Sequence, residues 1–278
     1  MKVSQVSYLA ADADAQIVHS LRETGFAVLT DHPISPARIT EIYQAWGDFF
    51  ASSEKHDFLR DPEKQDGYFP FRSENAKGAQ AKDLKEFFHI YPWGRVPDKL
   101  AAITRQLYAD LEALGVAMLG WLDAHSPDEV RRQFRQPLGQ MMQDSQQSLL
   151  RIIHYPPVAE GTEPEAIRAA AHEDINLITL LLAGSQPGLQ ARDKHGSWHD
   201  VSCDPGMITI NNGDMLQIAS GGYYPSTPHR VINPDPEQNV SRYSIPMFLH
   251  PKPEVMLTED MSADAYLHER LAEIGLKQ

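Results

Sequence analysis

Cysteine is almost missing from this chain: Cys203 is the only one in 278 residues. A disulfide framework is therefore excluded, and a reducing compartment is the natural setting. Long apolar runs are also absent. Nothing approaches the ~18 continuous apolar residues that would span a bilayer. The opening stretch, MKVSQVSYLAADADAQ, lacks a charged segment followed by an apolar one, so no secretory signal is expected and a cytoplasmic location is. Basic residues are in deficit, with 25 Lys and Arg against 38 Asp and Glu, for a net charge of −13. Such a surface argues against a nucleic-acid backbone or an anionic membrane as partner, although a local Arg cluster can still bind an anion. Repeats and low-complexity segments are lacking too. What remains is an ordinary globular composition, 42% apolar and 9% aromatic, on a chain long enough to bury a sizeable core.

The first half reads as helical. Ile17, Val18 and Leu21 give residues 13–24 a helical stripe that Gly25 stops, and a short β-rich run follows at 26–29. Ser35-Pro36 is a helix start, with Ser as N-cap and Pro at the first helical position. Beyond it Ile39, Ile42, Tyr43, Trp46, Phe49 and Phe50 recur at three- and four-residue steps, which marks one buried face. Residues 51–97, broken by Gly and Pro, read as loops with short elements. Apolar residues from Leu100 to Leu122 then define one long amphipathic helix. Near Ser148 the pattern changes to short β-type runs at 149–155, 175–182, 188–192, 197–201, 207–211, 215–219 and 243–249, separated by turn signals. A closing helix is expected at 263–276. Helices first and strands later predict an α+β layout, with helices packed against an antiparallel sandwich or barrel.

Chemistry concentrates in that second half. Side chains two apart on a strand point the same way, so His172 and Asp174 can reach one metal ion while Glu173 faces away. The best third ligand is His229, in Ser226-Thr-Pro-His-Arg-Val231. Two His and one carboxylate on one face of an ion leave positions open, the arrangement of non-haem iron(II) oxygenases. Taken alone, the His172/Asp174 pair also fits a surface turn, and a lone His229 fits a hydrogen-bonded structural role. Thirteen residues beyond His229 stands Arg242-Tyr243-Ser244. An Arg fork beside a Ser hydroxyl on one strand face makes a carboxylate clamp. Tyr155, in His154-Tyr155-Pro156-Pro157, offers a phenol at a strand end.

In this order the motifs resemble the isopenicillin N synthase-like branch of the iron(II)/2-oxoglutarate oxygenases over nearly the whole chain. Gly25-Phe-Ala-Val-Leu-Thr-Asp-His32 looks like the family's N-terminal "GF-hydrophobic-NHG" segment, and Lys82-Asp-Leu-Lys-Glu-Phe87 its "D-x-KE-x-F" stretch. Gly188-Leu-Gln-Ala191 with Trp198 resembles the "GLQV…W" hairpin. Asn212-Gly-Asp-Met-Leu-Gln217 resembles "N-x-GD-x-L-Q", and Arg242-Tyr-Ser-Ile-Pro-Met-Phe248 the "R-x-S" strand.

The resemblance implies a double-stranded β-helix (jelly-roll) core with flanking N-terminal helices. A helical region at 1–125 and a catalytic core at 126–278 would form one integrated unit. It implies Fe(II) on His172, Asp174 and His229. It further implies 2-oxoglutarate held by Arg242 and Ser244 with support from Tyr155, and O2 as oxidant. The expected reaction is oxidation of a C–H bond of a small molecule (hydroxylation, desaturation or cyclisation), releasing succinate and CO2. Two departures stand out. Ile153 occupies a position where many relatives carry Asn, and residues 233–239 lengthen the interval before Arg242, which reads as a longer hairpin.

Other readings remain at this point. An oxidase of the isopenicillin N synthase or ethylene-forming type would keep the iron but not 2-oxoglutarate. A jelly-roll binding protein with a vestigial metal site would keep neither activity. Zinc hydrolysis would leave the carboxylate clamp without purpose. His195 and His199 read as solvated loop residues, Asp214 as a structural turn residue and Cys203 as inert. Tyr68, Phe69, His89, His154, Tyr223, Tyr224 and Met247 are candidates to line a substrate pocket, with core packing as the competing role. Partners are expected to be a small-molecule substrate, with no nucleic acid and no membrane. The oligomeric state is open, a monomer being favoured.

Overall fold

The computed structural model describes residues 1–74, 81–182, 184–202 and 204–273. Its strands are β1 (Ser4–Ser7), β2 (Phe26–Thr30), β3 (Gly67–Phe69), β4 (Glu86–Ile90), β5 (Leu149–Tyr155), β6 (Ala169–His172), β7 (Ile178–Leu182), β8 (Leu189–Arg192), β9 (Trp198–Asp200), β10 (Ile208–Asn212), β11 (His229–Val231) and β12 (Arg242–Leu249). The α-helices are α1 (Ala13–Thr24), α2 (Pro36–Ala51), α3 (Asp98–His125), the single turns α4 (Asp128–Arg131) and α5 (Leu138–Met141), α6 (Asp214–Ala219) and α7 (Ala263–Glu273).

The strands form two sheets. The large one runs β1-β2-β10-β7-β12-β5-β4-β3 and the small one β6-β11-β8-β9. Every pairing is antiparallel except β1 with β2. This is the expected jelly-roll core. Strand alternation divides its apolar residues into two sets. Leu150 and Ile152 of β5, Leu180 and Leu182 of β7, Ile208 and Ile210 of β10, and Ile245, Met247 and Leu249 of β12 pack outward under the helices. Their alternates Ile153, Tyr155, Phe26 and Val28 point between the sheets, against Ala169, Leu189, Ala191 and Val231 of the small sheet.

Helix α3 covers the outer face with Leu107, Leu111, Leu114, Met118 and Leu122, all buried. Gly115 brings it against β12, for a Cβ there would lie 2.1 Å from Leu249 Cδ1. Helix α2 starts as its sequence dictates: Pro36 is at N1 and Ser35 Oγ accepts the Arg38 N–H at 3.3 Å. Gly25, at φ 72°, ends α1, and its N–H bonds Leu21 O. Close approach requires glycine there as well, since a Cβ would meet Thr227 Oγ1 at 2.2 Å.

Several sequence expectations change. Residues 215–219, expected as a strand, are the body of α6. An apolar run that short carries no period to separate helix from strand. Residues 51–97 hold β3 and β4, both in the large sheet. The 232–241 connection is not a hairpin: it crosses from β11 in the small sheet to β12 in the large one, with a 3-10 turn at Pro236–Gln238. The last expected helix is α7 as far as Glu273; residues 274–276 lie outside the described residues, as does Cys203. Among the described residues no helix is long and apolar enough to cross a membrane.

Candidate metal centre and anion pocket

His172 is the last residue of β6 and His229 the first of β11, and the two are paired across the small sheet. Asp174 lies past the strand end, not on it as alternation predicted. It is brought back by the turn that precedes β7. Two of the N–H groups that open α6 hold that turn: Asp214 donates to Asp174 O at 2.7 Å and Met215 to Asn176 O at 3.1 Å. A helix's first N–H groups lack partners within the helix, so they are free for this purpose.

Three ligand atoms converge. Asp174 Oδ1 is 3.8 Å from His172 Nε2 and 3.6 Å from His229 Nε2, and the three side chains could share one ion. Each imidazole is oriented from behind. His172 Nδ1 donates to Ala170 O at 2.8 Å and His229 Nδ1 to Thr227 O at 3.1 Å, leaving both Nε2 lone pairs for the centre. The edge of Phe26 packs on His229 with ring centroids 5.6 Å apart. Asp174 Oδ2 accepts from Thr179 Oγ1 at 2.5 Å and Asn211 Nδ2 at 2.8 Å. Burial alone would raise the Asp174 carboxyl, but the two histidines and these donors hold it low. Burial and the neighbouring His229 push His172 down to about 4, so the His172 imidazole keeps its Nε2 lone pair at neutral pH. Glu173 is exposed, as expected.

The same cavity is lined by Arg242, Ser244 and Tyr155. Register puts Arg242 opposite Tyr155, and Ser244 opposite Ile153. The Arg242 guanidinium is fully buried, 5.2 Å above the Tyr155 ring, with Nε donating to Gln186 O at 2.9 Å. Its Nη1 and Nη2 are buried without a hydrogen-bond partner among the described residues. Gly184 makes room for it: a Cβ there would sit 2.8 Å from Nη2. An unpaired buried guanidinium is costly, and a ligand anion removes that cost. The donor set therefore fits both groups that the resemblance implied, a metal on two imidazoles and a carboxylate, and an anionic co-substrate at Arg242.

Residues 146–251 match the pattern of the 2OG-Fe(II) oxygenase superfamily, and residues 6–108 that of the non-haem dioxygenase in morphine synthesis N-terminal region. A solved Shewanella oneidensis protein with an oxygenase assignment is 50% identical, with a TM-score of 0.90 over 99% of both chains. A Caulobacter crescentus protein assigned to the 2OG-Fe(II) oxygenase family is 32% identical, with a TM-score of 0.80 over 98% of this chain and 99% of that one. This chain belongs to the 2OG-Fe(II) oxygenase family. An Aspergillus fumigatus 2-oxoglutarate-Fe(II) type oxidoreductase is 27% identical over 88% of this chain and 79% of its own. As a family member the protein is an oxidoreductase that uses Fe(II), 2-oxoglutarate and O2.

Several pocket expectations are corrected. Tyr68, Phe69, His89, His154, Tyr223, Tyr224 and Met247 do not line the cavity. His154 stacks on Tyr243 at 4.7 Å on the other face of the sheet and bonds Glu86, and Met247 packs under the helices. The lining that sequence reasoning missed includes Lys85, Arg151 and Phe248. Lys85 stood inside the quoted 82–87 motif, and Arg151 faces the same way as Tyr155, four residues on. His199 is part of β9, not a loop, and bonds Asp193 at 2.6 Å. Asp214 is structural, accepting the Tyr266 hydroxyl of α7 at 2.7 Å.

Proposed function

We propose that His172, Asp174 and His229 hold the iron, and that Arg242 and Ser244, with Tyr155 beneath the guanidinium, hold the far carboxylate of 2-oxoglutarate. The observation that carries this reading is the buried Arg242 fork with two unpartnered Nη groups, opening into the same cavity as the triad. When bound, iron, 2-oxoglutarate and O2 together supply the oxidation of a C–H bond, with succinate and CO2 released. Thr179 and Asn211 keep Asp174 ionised and aimed, while the Ala170 and Thr227 carbonyls fix both imidazoles. Phe26, Ile153, Leu181, Leu189 and Val231 keep the wall apolar, which limits water around the reacting carbon.

A site enclosed between two sheets suits a small-molecule substrate better than a macromolecule. We take regions 1–125 and 126–278 as one working unit, because β2 pairs with β10 and Phe26 reaches the cavity. A cytoplasmic location is supported by the single cysteine.

The test is anaerobic titration of the Fe(II)-loaded protein with 2-oxoglutarate, following the weak visible charge-transfer band. The band should form in the wild type and vanish in Arg242→Ala at the same co-substrate concentration. A band of undiminished strength in the variant would overturn the clamp assignment.

A further inference from the structure

Two cations besides Arg242 line the cavity, Lys85 and Arg151, in a protein whose net charge is −13. Their counter-ions stand behind them and do not line it. Lys85 Nζ lies 2.8 Å from both Glu74 Oε2 and Asp83 Oδ2. Arg151 reaches the Glu74 carboxylate through Nη1 at 3.2 Å and Nη2 at 3.4 Å, and its Nε donates to His89 Nε2 at 2.8 Å. That bond fixes the His89 tautomer, because Nδ1 must then carry the proton it donates to Gln65 O at 2.9 Å. Burial and the adjacent Arg151 hold His89 well below its usual range, hence neutral. The Arg151 plane is clamped between Phe87 at 4.4 Å and Phe248 at 5.6 Å.

These contacts do not exhaust the donors. Lys85 has three N–H groups and Arg151 five. After the bonds above, one on Lys85 and two on Arg151 remain without a partner among the described residues. Strand register places Arg151 away from the Arg242 end. Tyr155 faces Arg242, Ile153 faces Ser244 and Leu150 faces Met247, which sets Arg151 across from Pro246. Four strand residues separate Arg151 from Tyr155, roughly 13 Å. Thr179, which holds Asp174, faces Phe248 at that same end. Arg151 therefore stands toward the metal end of the cavity, while Lys85, one residue before Glu86 and so level with Tyr155, is joined to it through the shared Glu74 carboxylate.

Resting on the proposed function, we infer that Arg151 and Lys85 form a carboxylate site for the prime substrate, buttressed by Glu74 and Asp83. The cluster is neutral as a whole, with its cationic side inward. One carboxylate suits that polarity, and a doubly charged phosphate would be left under-compensated. The co-substrate already has its own counter-charges in the iron and Arg242. Asp83 also ties the site to the metal, because its Oδ1 accepts the N–H of Ala170, two residues before His172.

The experiment compares 3-phenylpropanoate with 3-phenylpropanamide, by calorimetry on the Fe(II)- and 2-oxoglutarate-loaded protein under nitrogen. The acid is expected to bind about tenfold tighter than the amide, the difference that one charged hydrogen bond makes. Arg151→Gln and Lys85→Gln should each shrink that preference, and Arg151→Lys should keep part of it. Equal binding of acid and amide, no binding of either, or a preference untouched by both Gln substitutions overturns the inference. A loss of the 2-oxoglutarate band in the Gln variants also overturns it, since the cations would then serve the co-substrate. The band of the wild type, recorded first, reports on the proposed function separately, and far-UV dichroism shows that each variant folds.

Discussion

Gly184→Ala is the smallest change that should reach the co-substrate without touching the metal. The added Cβ would stand 2.8 Å from Arg242 Nη2, 3.0 Å from Cζ and 3.2 Å from Nε. An ordinary contact begins near 3.4 Å, so the guanidinium must move by about 0.6 Å. It has little freedom to do so, being fully buried, tied to Gln186 O and set over Tyr155. Backbone strain does not enter, because Gly184 is not among the glycines of positive φ. Misplacing one of the two Nη groups forfeits a hydrogen bond to a charged group, about 1.5–3 kcal/mol. The dissociation constant for 2-oxoglutarate should therefore rise roughly 10- to 100-fold. Anaerobic titration of the visible band measures it, and Fe(II) affinity in the absence of 2-oxoglutarate should stay at the wild-type value. A 2-oxoglutarate constant within twofold of wild type would refute the claim that Arg242 is confined.

Thr179→Val keeps the shape but removes the donor to Asp174, so Fe(II) affinity should fall about 10- to 100-fold; unchanged affinity by equilibrium dialysis counts against the bond. Gly115→Ala gains up to about 1 kcal/mol of helix propensity. It also drives a methyl into Leu249, for which overpacking costs about 1–3 kcal/mol; urea unfolding should show a net loss, and a more stable variant would contradict the close approach. His89 is buried and His250 half-buried, and both are neutral, His250 being pushed down to about 4 mainly by desolvation. Unfolding lets them take up protons below about pH 6.5, so the unfolded state binds more protons in the window from 6.5 down to about 4. Stability must then fall as pH is lowered through that window; His250→Phe should flatten the dependence, and an identical slope in the variant would show that His250 does not contribute.

Much of the architecture could be read from local signals. Ser35-Pro36 and Gly25 mark helix ends because capping is a nearest-neighbour effect, and α1 has the bounds its stripe foretold. The triad was legible as residue types but not in its geometry. Alternation along a strand was the wrong reason for pairing His172 with Asp174, since the strand ends between them. What returns Asp174 to the site is the start of α6, the very segment whose apolar run resembled a strand. Strand β4 escaped notice because Glu86 and His89 interrupt its apolar residues, and their partners come from far along the chain. Glu86 bonds Lys55 and His154, while His89 bonds Arg151 and Gln65. Lys85 and Arg151 were missed for a related reason: a charged residue reads as surface until the fold shows its counter-ions.

The position of β2 has a consequence for biosynthesis. Phe26–Thr30 leaves the ribosome early, yet its antiparallel neighbour β10, Ile208–Asn212, is some 180 residues downstream. At about 5–20 residues per second, translation leaves that apolar strand without its partner for roughly 10–40 s. Through that interval the Phe-Ala-Val-Leu segment is an open template for pairing with another nascent chain. The strand made nearly first can lock nearly last, and Phe26 can reach His229 only after that. Slow translation or scarce chaperones should therefore lower the yield of this protein more than its folded stability would suggest.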